Sequence, residues 1–291
     1  MVCIYHNKDL DGYCSGAIVK LKYPDAQMIG YDYSEELDIV HLIRKGEPVV
    51  MIDVSLPMMQ MLWLATWSHN QLTWIDHHKT AINEYMNFIE DSGVDFLEPV
   101  LEVGIAACEI AWKHYFPGTE IPKAVELLGM YDTWRNEDKG KWELIIMPFQ
   151  YGMRNICNSP ENFPLYLLTS KVREGTIEII RQGEQILNYQ KMQNTRACKH
   201  AFVVNYYGYR VLALNIGGAN STAFDSVYDP NLHDILCPFY FTGTQWVFSL
   251  FSLKDIDVSV IAKANGGGGH KQAAGFQKKN LPAEFLTHVK I

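Results

Sequence analysis

The sequence predicts an α/β protein of two domains, and three observations carry that prediction. In the first half, short apolar runs alternate with helix-like segments, a pattern that is typical of a parallel sheet. Residues 172–199 then show helical apolar spacing with few Gly or Pro, which predicts one long connecting helix. Beyond it, separate strand-like runs and a glycine-rich turn predict a smaller, mixed α/β domain.

The length of 291 residues agrees with two domains. We expect the first domain at 1–185, the end of the connecting helix at 186–200, and the second domain at 201–291. The predicted strands of the first domain are 2–5, 27–31, 48–54 and 71–75. Its predicted helices are 13–21, 58–66, 106–115 and 122–131. The pattern loosens around 139–160, and strands are predicted again at 201–205, 210–215 and 245–253.

Composition narrows the classes of function. The formal net charge of −8 favours a small phosphorylated substrate or a short oligonucleotide over a long duplex, which usually requires a basic surface. The sequence contains no run of about 18 apolar residues, so no membrane span is predicted. The first residues resemble a strand more than a signal peptide. We therefore expect a cytoplasmic protein. The six cysteines are scattered without a CxxC pair, which predicts buried, reduced thiols.

Polar side chains follow three of the predicted strands. The segment HNKDLDG (6–12) follows the first strand, Asp53 ends the third, and Asp76-His77-His78 follows the fourth. Because ligands of parallel sheets bind beyond the carboxyl ends of the strands, we expect these groups to gather on one rim. Carboxylates combined with imidazoles suit a hard or borderline divalent cation.

Each of these residues also has a structural interpretation. Asp9 and Asp11 could cap the following helix, with Gly12 relaxing the turn into it. Asp53 could cap the next helix. Asp132, in the segment YDTWR, could be a turn aspartate at a helix end.

A glycine run near the C-terminus, GGGGHKQAAGF (266–276), is the fifth motif. Glycines allow backbone N–H groups to approach a ligand closely, and we expect a helix to start behind them and favour an anion. The alternative is a flexible loop.

Taken in order, these five motifs resemble the DHH phosphoesterase superfamily. Asp76-His77-His78 is similar to its signature, and the glycine run is similar to the motif of the associated DHHA1 domain. The resemblance extends from His6 to Phe276 and is greatest to the short oligoribonucleases and nanoRNases, rather than to the larger RecJ exonucleases. It implies a DHH domain joined by the long helix to a DHHA1 domain, with the active site in the inter-domain cleft.

The resemblance also implies roles for individual residues. The implied ligands of two divalent cations, usually Mn²⁺ in this family, are His6, Asp9, Asp11, Asp53, His77 and Asp132. In this scheme His6 and Asp9 hold the first cation, and Asp53 bridges it to the second. The implied catalytic residues are His78, which contacts the substrate phosphate, Asp53, and Arg135, which helps to neutralise developing charge. The implied substrate-binding residues are Gly267, Gly268, Gly269, His270 and Lys271.

Two positions depart from the family pattern. Asn7 and Lys8 both separate His6 from Asp9, one residue more than is usual. Phe251 stands in the stretch Ser249–Ser252 where many relatives have an Arg that grips phosphate. Phe251 could stack on a base or belong to the core.

The implied activity is manganese-dependent hydrolysis of short oligonucleotides or related nucleotide phosphodiesters to nucleoside monophosphates. Two alternatives stay open. One is a phosphomonoesterase or polyphosphatase acting on 3′-phosphoadenosine 5′-phosphate or polyphosphate. The other is a non-catalytic nucleotide-binding protein. No membrane partner is expected, and a homodimer is left open.

Overall fold

The computed structural model describes residues 1–33, 35–169 and 173–286. The chain divides into two compact units, Met1–Leu187 and Asn188–Ile291. Among the described residues, no helix combines the length and apolarity that a membrane crossing requires.

The first unit contains a five-stranded, all-parallel sheet. The parallel arrangement and four of the strands were predicted, and the short fifth strand was not. Its strands in chain order are β1 (Val2–His6), β2 (Gln27–Tyr31), β3 (Val49–Ile52), β4 (Leu72–Asp76) and β5 (Val100–Leu101). Their spatial order is β2-β1-β3-β4-β5. The direction of winding therefore reverses between β1 and β3, and the carboxyl ends of strands at such a switch point border a crevice.

The helices of this unit up to residue 132 are α1 (Leu10–Lys22), α2 (Ile39–Leu42), α3 (Met58–Trp67), α4 (Lys79–Ser92), α5 (Ala107–Tyr115) and α6 (Lys123–Asp132). They are followed by α7 (Lys139–Lys141), a π-helical turn (Trp142–Ile146), α8 (Met147–Ile156) and α9 (Tyr166–Thr169). The prediction of a loose segment at 139–160 is wrong for most of its length. Pro148 lies at the start of α8, a position at which proline is tolerated.

Side chains alternate between the two faces of the parallel sheet. Cys3, Tyr5 and Ile52 point into a core shared with α1, α5, α6 and α8. Ile4 and Met51 point into a second core on the opposite face, shared with α3 and α4. The sheet is therefore covered on both faces, which explains why its strands are continuous apolar runs.

The helix α10 (Arg173–Ala197) begins in the first unit and ends in the second. It confirms the predicted long helix, except that residue 172 of that prediction lies outside the described residues. All six cysteines are buried, as expected.

The second unit contains a six-stranded mixed sheet. Its strands are β6 (Phe202–Tyr206), β7 (Tyr209–Asn215), β8 (Ile235–Phe241), β9 (Trp246–Phe251), β10 (Gly268–His270) and β11 (Ala273–Lys278), and its helices after α10 are α11 (Val258–Ala264) and α12 (Ala283–Leu286). The spatial order is β10-β11-β9-β8-β7-β6, with β7 and β8 parallel and the other pairs antiparallel. Strand β8 was not predicted from the sequence.

Two features of the second unit bear on later arguments. Phe251 is partly buried and packs against a core cluster that includes Leu212 and Leu236, so the core interpretation of this residue is the one that its contacts support. Asp234, the residue before β8, accepts hydrogen bonds from Arg210 and Lys254, which hold the pKa of Asp234 below its ordinary value.

Candidate metal centre

The polar residues that follow β1, β3 and β4 meet at one rim of the parallel sheet, as the strand pattern predicts. Around Asp53 three overlapping groups of possible metal ligands form. The first consists of His6, Asp9 and Asp53, the second of Asp11, His77 and Asp132, and the third of Asp53, His77 and His78. Within each group, one ligand atom from each residue lies within 4.8 Å of the others.

The first group is compact despite the extra residue in its motif. His6 Nδ1 lies 3.0 Å from Asp9 Oδ2 and 3.6 Å from Asp53 Oδ2. Asn7, one of the two intervening residues, donates its backbone N–H to Tyr31 O and packs against Gly30, where a Cβ would lie 2.8 Å from Asn7 Cβ. The longer segment therefore bends over β2 and returns Asp9 to His6.

The second group is centred on His77. His77 Nε2 lies 3.3 Å from Asp53 Oδ1, 3.4 Å from Asp132 Oδ2 and 3.7 Å from Asp11 Oδ2. Asp53 thus approaches His6 with one oxygen and His77 with the other. This is the arrangement that a carboxylate bridging two cations requires.

Unpartnered atoms provide a test of whether these residues fit a metal. His6 Nδ1, His77 Nε2 and both carboxylate oxygens of Asp53 are buried and lack a geometric hydrogen bond. Burying such atoms is costly unless something pairs with them. Carboxylate oxygen and imidazole nitrogen converging from three strands fit a divalent cation of the Mg²⁺ or Mn²⁺ type.

Asp53 is held in an unusual backbone conformation. Its φ is +61°, in the left-handed region that Asp tolerates better than most residues. Its N–H still pairs with Ile75 O at 2.9 Å, so the chain turns sharply at the point where β3 ends. The helix that follows has Pro57 at its N-cap and no side-chain cap, which excludes the helix-cap interpretation of Asp53.

Asp9 and Asp11 combine structural bonds with positions in the site. Asp9 Oδ1 accepts from Gly12 N at 2.9 Å and caps α1, while its other oxygen faces His6. Asp11 accepts from Ala107 N and Cys108 N at 2.9 and 2.8 Å, at the start of α5. The capping interpretation is therefore correct for Asp9, and it is compatible with a ligand role.

Gly12 has a different reason for its identity from the one predicted. A Cβ at this position would lie 2.0 Å from His6 O. Gly12 lies within α1 and is needed because the helix approaches the backbone of β1 closely, rather than to relax a turn.

Asp76 orients His78. Asp76 Oδ1 accepts from the backbone N–H of His77 and His78 and contacts His78 Nδ1 at 2.7 Å. Its second oxygen accepts from Trp74 Nε1 at 3.2 Å, so the fully buried carboxylate is well satisfied. The ring of His78 is consequently fixed through Nδ1, which leaves Nε2 for a ligand.

The charge state of the site follows from these contacts. Burial lowers the pKa of His6, but its close contacts with the carboxylates of Asp53 and Asp9 outweigh that effect and raise the pKa to about 10. Burial also lowers the pKa of His77, while Asp53, Asp11 and Asp132 raise it to about 9. Burial and the charge of Asp11 raise the pKa of Asp132 to about 7. Without cations, the protonated imidazoles of His6 and His77 would therefore balance part of the negative charge of the carboxylates.

Arg135 is held beside the site by two bonds. It forms an ion pair with the buried Glu109, and its Nε donates to Thr133 Oγ1 at 2.9 Å. Thr133 in turn donates to Gly129 O at 2.7 Å. A Cβ on Gly129 would lie 2.3 Å from Glu109 Oε2, so this glycine makes room for the ion pair.

The five substrate-binding residues predicted from the glycine run lie in the second unit. They form a hairpin in which β10 pairs with β11, and the predicted helix start behind the glycines is wrong. Pairing of residues 273–278 with β9 holds that segment as a strand. A cavity of about 340 Å³ adjoins the run and is lined by Val247, Phe248, Ser249, Gly266, Gly267, Gly275, Phe276 and Gln277.

Sequence reasoning missed Asp32. This residue follows β2, and its Oδ1 lies 3.7 Å from His6 Nε2, the nitrogen that faces away from Asp53. Its position just beyond a strand end is the same signal that identified Asp53, so the rule could have found it.

Comparison with solved structures finds this fold in two enzymes or enzyme-related proteins. The pGpG-specific phosphodiesterase PggH of Vibrio cholerae superposes with a TM-score of 0.56 and 13% identity, over 98% of this chain and 95% of that one. An exopolyphosphatase-related protein of Bacteroides fragilis superposes with a TM-score of 0.53 and 14% identity, over 99% and 89%. At these identities the likeness establishes the fold alone, an α/β protein with a parallel sheet and a second, mixed sheet.

Sequence comparison adds one relative. An uncharacterized protein of Acanthamoeba polyphaga mimivirus is 26% identical over 281 residues, which make up 93% of this chain and 57% of the relative. The chain therefore spans less than two thirds of the length of the curated relative it matches. No protein-family model matches the chain.

Proposed function

We propose that this chain is a metal-dependent phosphoester hydrolase that cleaves short oligonucleotides or related nucleotide phosphodiesters to nucleoside monophosphates. The observation that carries the proposal is a set of overlapping ligand groups, in which Asp53 belongs to one group with His6 and Asp9 and to another with His77 and His78. Their buried, unpartnered nitrogen and oxygen atoms have no structural function that the fold explains. The superposable fold of a pGpG-specific phosphodiesterase supports the same class of reaction.

The proposed ligands of two divalent cations are His6, Asp9, Asp11, Asp53, His77 and Asp132. Mn²⁺ is our first choice, since it accepts both carboxylate and imidazole. Bound there, the cations would act as Lewis acids and lower the pKa of a shared water. Asp53 would fix their spacing, because its two oxygens already face the two histidines.

The remaining residues would act on the phosphoryl group. The contact with Asp76 raises the pKa of His78 against the lowering effect of burial, which favours an imidazolium that donates from Nε2 to a phosphoryl oxygen. Arg135 uses Nη2 and Nε for Glu109 and Thr133, which leaves the Nη1 donors to neutralise developing charge. We also propose that Gly267, Gly268, Gly269, His270 and Lys271, in the glycine hairpin of the second unit, bind substrate.

The test is a panel of substrates assayed with Mn²⁺. The panel contains 5′-phosphorylated dinucleotides, a cyclic dinucleotide, 3′-phosphoadenosine 5′-phosphate and polyphosphate. We expect dinucleotides to be hydrolysed best, with activity lost on chelation and in His77→Ala. His41→Ala is the matched control, because His41 is an exposed histidine of the same unit.

The outcomes separate the alternatives. Preferential hydrolysis of polyphosphate or of the phosphomonoester would replace the proposed substrate but keep the chemistry. Equal, metal-independent activity in wild type and His77→Ala would refute the proposed site. A protein that binds nucleotide but neither binds Mn²⁺ nor hydrolyses any substrate would indicate the non-catalytic interpretation.

A further inference from the structure

Beside the metal centre lies an aromatic cluster that the chemistry described so far does not use. Trp134, two residues beyond Asp132, is 63% exposed, although large apolar side chains are usually covered. Two consecutive residues span about 7 Å of chain at most, so Trp134 cannot be far from the ligand that precedes it. Its indole packs edge-on to Trp142, with ring centroids 4.9 Å apart.

Trp134 packs against two aromatic rings that are stacked on each other. Tyr131 and Trp142 stack with an interplanar angle of 3° and a centroid distance of 5.5 Å, and Trp142 is buried. The guanidinium of Arg154 lies 5.5 Å from the centre of the Tyr131 ring and 5.3 Å from that of Tyr151. These contacts hold Tyr131 and Trp142, on which Trp134 packs, and they place a positive charge at the edge of the aromatic cluster.

The backbone presents Trp134 outwards at a cost in strain. Its φ is +56°, a conformation that a bulky residue rarely adopts. The flanking residues hold it there, because Trp134 N pairs with Tyr131 O, Arg135 N pairs with Met130 O, and Arg135 is anchored to Glu109. Strained residues that surrounding contacts over-determine are concentrated at functional sites.

We propose that Trp134 is the nucleobase-stacking residue of the metal centre and makes base-bearing phosphodiesters the preferred substrates. The proposal rests on the proposed function, because it assumes that the substrate phosphate binds at the metal site to which Asp132 and His77 belong. A planar base would lie against the exposed indole face, and the nearby Arg154 would add attraction for the ring or its phosphate.

The kinetic experiment compares two substrates that differ only in the base. One is a 5′-phosphorylated adenine dinucleotide, and the other is the same backbone with abasic sugars. In Trp134→Leu we expect kcat/KM for the adenine substrate to fall about 5- to 150-fold, the change that corresponds to about 1–3 kcal/mol of stacking. The abasic substrate should change by less than about twofold in the same variant, since it makes no stacking contact.

Two further variants control for the loss of a tryptophan. Trp134→Phe keeps an aromatic face and should restore most of the preference for the base. Trp63→Leu removes another exposed tryptophan, on α3, and should behave as wild type on both substrates. A uniform loss on both substrates in Trp134→Leu, or no loss on either, would overturn the proposal.

If neither substrate is hydrolysed, that result counts against the proposed function alone. A binding experiment then still tests whether Trp134 stacks on a nucleobase. Adenosine 5′-monophosphate is titrated with Mg²⁺ present while tryptophan fluorescence is followed. Quenching should occur in wild type and Trp63→Leu and be lost in Trp134→Leu, and ribose 5-phosphate should quench none of them. Equal quenching by the nucleotide in Trp134→Leu, or none in wild type, would show that the base does not stack there.

Discussion

Gly12→Ala tests the close approach of α1 to the end of β1, on which the position of half the metal ligands depends. The added Cβ would lie 2.0 Å from His6 O, more than 1 Å inside ordinary contact, and 2.8 Å from His6 C, which is also too close. Both atoms belong to the backbone, so no rotamer change can relieve the clash. Either α1 or the carbonyl of His6 must move, and His6 and Asp9 would move with them.

The size of the effect follows from two opposing contributions. Ala is favoured over Gly inside a helix by about 0.5–1 kcal/mol. Forcing an extra carbon into a filled space costs about 1–3 kcal/mol, occasionally more. At Gly12 we therefore expect net destabilisation, seen as a fall of about 2–10 °C in the melting temperature of the first unit. Mn²⁺ affinity should fall as well, because the first ligand group is displaced.

Gly140→Ala is the matched control. Gly140 is also helical, but a Cβ there would meet only Asp138 Oδ1, at 3.4 Å. Helix propensity should then act alone, and the melting temperature should stay constant or rise. The assays are differential scanning calorimetry of both variants and a Mn²⁺ titration. If Gly12→Ala matched Gly140→Ala in stability and kept wild-type Mn²⁺ affinity, the described contact between α1 and β1 would be incorrect.

Three shorter predictions concern charge. Asp32→Asn should lower Mn²⁺ affinity about 10–100-fold, because Asp32 orients His6 through its outer nitrogen, whereas the exposed Asp38→Asn should not. Mn²⁺ binding at pH 7 should release protons, since the pKa values of about 10 for His6 and about 9 for His77 leave both protonated in the metal-free protein. Calorimetry in two buffers of different ionisation enthalpy measures that release, and a buffer-independent heat would contradict it. Asp234→Asn should lower the melting temperature of the second unit at pH 7, and the difference from wild type should shrink progressively as the pH falls below about 4, the ordinary pKa of an aspartate. The lowered pKa of Asp234 gives stability that is present above its ordinary value and lost as the pH falls, and a difference independent of pH would refute this.

The parallel sheet and the rim of ligands could be predicted because both depend on local sequence. An apolar run that ends in a charged residue marks the end of a buried strand, and parallel strands end on the same side. Asp53 and His77 were found in this way. Asp32 shows that the same rule was applied incompletely.

The supporting contacts could not be predicted, because they join residues that are distant in sequence. The bonds from Ala107 and Cys108 to Asp11 span 96 and 97 positions, and the pair of Arg135 with Glu109 spans 26. Strand β8 was missed since Pro238 lies in its middle, and proline is uncommon in a strand with partners on both sides. The glycine run became a hairpin because β9 offered a partner, which local propensity cannot reveal.

Backbone strain gives an independent reason to connect Asp53 and Trp134. Among the described residues, five that are not glycine have a positive φ: Asp53, His69, Asn70, Trp134 and Tyr207. His69 and Asn70 lie in the turn that follows α3, and Tyr207 lies in the hairpin turn between β6 and β7, where such angles are ordinary. Trp134 also lies in a turn after a helix, because the bonds from Trp134 N to Tyr131 O and from Arg135 N to Met130 O close the end of α6. Glycine or asparagine usually takes this left-handed position, so the bulky Trp134 is the unusual choice there. Asp53 instead ends a strand. A costly conformation at both residues is expected where the chain must aim a carboxylate at a cation and an indole at a base.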